Sequence, residues 1–145
     1  MKKLVSSVII SCMLLMPFCN ICYASTHITI SSPRPIITAE SGAVGDTVTV
    51  TVSLPANTNA AGGSFNLIYD NTKMELVDAT AGNVISAFSK QVNKTYATNK
   101  VRLNFAGSET VSASGGVILT ATFKLTAAGT ATLSTEKFKL IFHIF

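Results

Sequence analysis

Thr47-Val48-Thr49-Val50-Thr51-Val52-Ser53-Leu54 is the stretch that decides the fold. Apolar residues hold every even position and hydroxyl residues every odd one. A strand turns successive side chains to opposite faces, so this segment buries Val48, Val50, Val52 and Leu54 and gives Thr47, Thr49, Thr51 and Ser53 to solvent. Val and Thr are also stiff at χ1, which favours strand over helix. Upstream, Ser41-Gly42-Ala43-Val44-Gly45-Asp46 reads as a turn; downstream, Pro55 and the Asn-rich run to Ala61 end the strand.

The same period returns along the chain. Phe65, Leu67 and Tyr69 alternate with Ser64, Asn66 and Ile68, and Val101, Leu103 and Phe105 with Arg102 and Asn104. Val117, Leu119, Ala121, Phe123 and Leu125 alternate with Ile118, Thr120, Thr122 and Lys124. Shorter strands are predicted over 74–79 and 130–133, and Pro33 and Pro35 mark an edge strand or loose lead-in. Val84, Ile85 and Phe88 read as a strand end or a helical turn, and Tyr96 falls on a short edge strand. The region 107–116 is a loop of small and polar residues. No helical period survives after residue 24. About eight short strands separated by turn signals predict an all-β sandwich.

The first 24 residues carry a different message. Lys2 and Lys3 precede an uncharged run from Leu4 to Ala24 with a strongly apolar centre, then Pro17 and small residues at Cys22 and Ala24. This is the three-part pattern of a secretory signal peptide cleaved after Ala24. The competing reading is an uncleaved membrane anchor. Cleavage removes all three cysteines, Cys12, Cys19 and Cys22, so the exported domain over 25–145 has no disulfide and no thiol. It also leaves no membrane segment. Removing Lys2 and Lys3 from eleven basic residues leaves nine against seven acidic ones. That balance, without a basic cluster, argues against a nucleic-acid partner.

Converging catalytic groups are hard to find. The acids are Glu40, Asp46, Asp70, Glu75, Asp78, Glu109 and Glu136, and no two form an evident pair across a cleft. His27 and His143 lie at opposite ends and suit neither a nucleophile triad nor a metal site. The Asp-rich loop of a dedicated calcium site is absent. No cofactor is expected, and the chain reads as a non-enzyme. Sugar-stacking platforms are scarce, since there is no Trp and Tyr69 falls in a core row, leaving Tyr96. Asn93-Lys94-Thr95 fits a glycosylation acceptor, a triplet common by chance. What remains is a rigid sandwich with polar faces, a binding module.

Taken in order, several stretches resemble the cohesin domain, the dockerin-binding module of cellulosome scaffold proteins. They are Val44-Gly45-Asp46-Thr47-Val48-Thr49-Val50, Gly63-Ser64-Phe65-Asn66-Leu67-Ile68-Tyr69-Asp70 and Met74-Glu75-Leu76-Val77. Val101-Arg102-Leu103-Asn104-Phe105-Ala106-Gly107 and Gly116-Val117-Ile118-Leu119-Thr120-Ala121-Thr122-Phe123-Lys124 follow, so the series spans roughly 36–134. The resemblance implies a jelly-roll sandwich of eight to nine strands and a docking surface on one flat sheet face. On this chain that face would hold Ser64, Asn66 and Ile68 of one strand and Arg102 and Asn104 of another, flanked by Tyr96 and by Thr130 and Thr132. Ile68, apolar on a polar strand, is the most informative of them. The implied partner is a dockerin-bearing secreted protein such as a glycoside hydrolase, with calcium in the partner's loops. Direct polysaccharide binding by a related sandwich module, or a cell-surface adhesive role, stays open. Two departures stand out. The last strand is either missing or replaced by the apolar tail from Phe138 to Phe145, and Gly107 and Ser108 stand where acidic residues are often found.

Overall fold

The structure is a computed structural model that describes residues 25–31 and 35–142. The expectations for residues 1–24 and for His143 lie outside the described residues. Alternating sequence becomes β1 (Ser25–Ser31), β2 (Ile36–Ala39), β3 (Gly42–Ala43), β4 (Thr47–Leu54) and β5 (Ala60–Tyr69). β6 (Met74–Ala81), β7 (Ser89–Ala97), β8 (Lys100–Ala106), β9 (Gly116–Leu125) and β10 (Gly129–Phe142) follow. Among the described residues the one helical piece is a 3-10 turn at Asn83–Ile85, the helical alternative for that region. One sheet has the order β3-β1-β10-β5-β8-β7 and the other β2-β4-β9-β6. Every pairing is antiparallel except β1 with β10, which run parallel. The result is a jelly-roll β-sandwich, of nine strands when the two-residue β3 is set aside.

The core is where the two apolar rows meet. Val48, Val50, Val52 and Leu54 of β4 and Leu119, Ala121, Phe123 and Leu125 of β9 line the four-stranded side. Phe65, Leu67, Tyr69, Val101, Leu103, Phe105, Ala131 and Leu133 line the six-stranded side. Each large side chain so covered contributes about 1.5–3 kcal/mol relative to exposure. Tyr69 and Phe123 join the sheets ring to ring, with centroids 4.9 Å apart. The turn into β9 needs glycine at Gly115, where φ is +69° and a Cβ would come within 2.4 Å of the Leu54 carbonyl oxygen.

Two expectations are corrected. Val117 does not join the inward row of β9, because a bulge shifts the register. Val52 pairs with Leu119, but the next residue, Ser53, pairs with Val117. The extra residue, Ile118, is fully buried while Val117 moves to the Ser53 face. A bulge inserts one residue and so inverts the parity beyond it. The second correction concerns the tail. It is no separate substitute for a last strand, because 138–142 continue the strand that begins before Thr130. β10 is held between β1 and β5. A second bulge at Lys137, with φ of 52°, absorbs the misfit between the halves. Phe138 then turns inward against Phe65, with ring centroids 6.0 Å apart.

Candidate functional site

The six-stranded sheet has one face in the core and one face outward, and the pairing register arranges the outward residues in rows. Across β10, β5, β8 and β7, one row is Ser134, Ile68, Lys100 and Ala97. The next is Glu136, Asn66, Arg102 and Asn93, and the third is Lys139, Ser64, Asn104 and Gln91. A fourth row, Ile141, Gly62, Ala106 and Ser89, closes one end. Antiparallel pairing sets neighbours within a row about 4.7–5.5 Å apart.

All eight residues singled out in the sequence meet on this face. Ser64, Asn66 and Ile68 lie on β5, Arg102 and Asn104 on β8, Tyr96 on edge strand β7, and Thr130 and Thr132 on β10, just before its pairing with β5 begins at Leu133. Their exposures differ. Thr130 and Thr132 are exposed, Ile68 and Arg102 are half-buried, and Tyr96 is 39% exposed. Asn66 points outward but is only 1% exposed. Its amide donates to Glu136 Oε1 at 2.9 Å, and Lys100 Nζ donates to the same oxygen at 2.7 Å. Asn66 is therefore a brace beneath the face rather than a free contact group. Arg102 lies over the Tyr96 ring, 4.9 Å from its centroid, and donates to Tyr96 Oη at 3.0 Å and Asn104 Oδ1 at 3.2 Å. That stack occupies one face of the ring the sequence left open for sugars.

Glu136, Lys100 and Lys139 belong to this face and were not singled out. Extending the alternation of Thr130 and Thr132 by two steps reaches Ser134 and then Glu136. Lys139 was hidden by the Lys137 bulge, which breaks the count. Lys100 and Asn66 together hold the Glu136 carboxyl below the ordinary 4.5. Folded protein therefore binds fewer protons here than the unfolded chain, so this stabilisation is complete above that ordinary value and is lost as pH falls through the folded one. We expect wild-type protein to lose more stability than Glu136→Gln between pH 6 and pH 3 in urea titrations. Equal losses would remove Glu136 from the account.

The other acids have local work. Asp46 Oδ2 accepts from the Ala43 amide at 2.8 Å, Asp70 Oδ1 from the Thr72 amide at 3.0 Å, and Asp78 pairs with Lys94. These contacts spread Asp46, Asp70 and Asp78 over two turns and a strand edge. Among the described residues no three His, Cys, Asp or Glu side chains gather at one point.

The cohesin domain model matches residues 35–142, which is most of the chain. The chain belongs to the cohesin family. Cohesins are non-catalytic binding modules. Solved cohesin structures share the fold. The sixth cohesin of scaffoldin B from Acetivibrio cellulolyticus, solved with a Cel5 dockerin, is 19% identical with a TM-score of 0.56. It covers 71% of this chain and 86% of its own. A type I cohesin–dockerin complex from Clostridium thermocellum is 15% identical, TM-score 0.57, covering 83% and 87%. The CaCohA2 module of Clostridium acetobutylicum is 17% identical, TM-score 0.59, covering 83% and 80%. Among the curated proteins none matches the chain.

Proposed function

We propose that this cohesin docks a dockerin-bearing protein on the outward face of its six-stranded sheet, in a secreted assembly that degrades polysaccharide. The observation that carries the reading is the braced array of Ser64, Ile68, Arg102 and Asn104 on one sheet face of a chain that belongs to the cohesin family. A preorganised surface loses little entropy on docking. Asn66, Glu136 and Lys100 fix the middle of the array, and Arg102 is locked on Tyr96. The contact set would be Ser64, Ile68, Tyr96, Arg102, Asn104, Thr130 and Thr132, with Asn66 acting through Glu136. The dockerin is expected to be carried by a glycoside hydrolase or another exported protein. The leader-like start supports export, and no cofactor takes part.

Calorimetry tests this directly. Calcium-loaded dockerins from cellulosomal enzymes and soluble glucans are titrated separately into the protein. Saturable heat with at least one dockerin is the expected result. Heat from glucans with none from any dockerin would replace docking by direct carbohydrate recognition.

A further inference from the structure

One end of the outward face is not flat. Where the last two rows meet, an open groove of about 480 Å³ is lined by Ser64, Gln91, Asn104, Ala106, Lys139 and Ile141, among others. Its cause lies in the register. Gly62, Ala106 and Ser89 follow one another in the closing row, and their small side chains leave the sheet surface low beside taller neighbours. Ile141 stands at its margin, 53% exposed.

The groove is rich in donors and cationic. Two of its lining residues are lysines, Lys90 and Lys139, and none is acidic. Lys90 gives its ammonium to the carbonyls of Ser86 and Phe88, both neutral acceptors. The Asn104 carbonyl oxygen accepts from Arg102, so what that side chain offers in addition is a donor, its amide NH2. Arg102 itself, in the adjacent row, bonds neutral acceptors, Tyr96 and Asn104, among the described residues. Lys100 is different, since Glu136 neutralises it. Lys139 is exposed and stands in the same row as Ser64, Asn104 and Gln91. Charge complementarity then specifies what fits, an anionic group with an apolar neighbour to cover Ile141.

Resting on the docking reading above, we propose that this groove is a subsite for an Asp or Glu side chain of the docked protein. Lys139 supplies the charge, and Ser64, Gln91 and the Asn104 amide supply hydrogen bonds. A protein carboxylate is favoured over an acidic sugar because the groove offers no open ring for stacking. Phe105, its only aromatic lining residue, is buried, and Tyr96 lies outside the groove with Arg102 over one face of its ring. The subsite would select among dockerins by charge and make docking sensitive to salt.

The test uses the full chain and a dockerin that binds it. Dissociation constants are measured at low and high sodium chloride for wild type, Lys139→Gln and Lys139→Glu. We expect Lys139→Glu to weaken docking about tenfold at low salt, with Lys139→Gln between, and the gap to close at high salt, where surface charges are screened. Melting should stay unchanged, because Lys139 is exposed. Replacing one acidic residue on the dockerin by Lys should restore affinity for Lys139→Glu and not for wild type. Docking by wild type with no change in either variant would overturn the subsite and leave the docking reading standing. Failure of every dockerin would overturn both. Binding of polygalacturonate in place of dockerins, lost in Lys139→Glu, would overturn the protein occupant.

Discussion

Replacing Phe123 by alanine is expected to cost the fold about 3–5 kcal/mol, the range for emptying a fully covered aromatic site. Phe123 has no exposed surface. It sits mid-strand in β9, between Val48 of β4 and Leu76 of β6, and its ring meets Tyr69 of the opposite sheet. Removing it opens a cavity between the layers. Neither sheet can close on it freely, because β9 is paired on both sides. For a domain of this size the loss lowers the melting temperature by roughly 10–20 °C. Phe123→Leu keeps most of the volume and should cost far less. A shift near 2 °C for the alanine variant would remove Phe123 from the inter-sheet core.

The second large effect concerns docking. Ile68→Asp is expected to weaken dockerin binding by more than about a hundredfold, or roughly 2.7 kcal/mol. Ile68 stands outward on β5, flanked by Ser134 and Lys100, within the array that carries the proposed contact. A docked partner would strip water from that position, and a carboxylate there would be desolvated without adequate compensation. An acidic partner would add like-charge repulsion. Ile68 is only half-buried, so the melt should move little. Unchanged affinity would transfer docking to another surface. Asn66→Ala is less discriminating, because it also frees Glu136 from one of its two donors.

Much of this was legible before any coordinates. The eight-residue alternation of β4 and the inward rows of β5 and β8 appear in the structure with the parity read from sequence. Strand parity is local, a period of two imposed by the backbone, so a sequence can state it. It fails where one residue is inserted. Ile118 and Lys137 are such points, and the errors at Val117 and along the tail follow from them. A bulge depends on how the partner strand fits, which no local pattern records.

Sequence by itself determined the class of fold and the inward face of each regular strand, because each depends on the order of neighbouring residues; the candidate face came from the resemblance to cohesins. Tertiary structure alone decided which outward residues share a row, that Asn66 is roofed by Glu136 and Lys100, and that a cationic groove opens beside Lys139. Those are cross-strand relations between residues as far apart as Asn66 and Glu136. They exist only after pairing fixes the register, and hydrogen bonds between distant strands fix it.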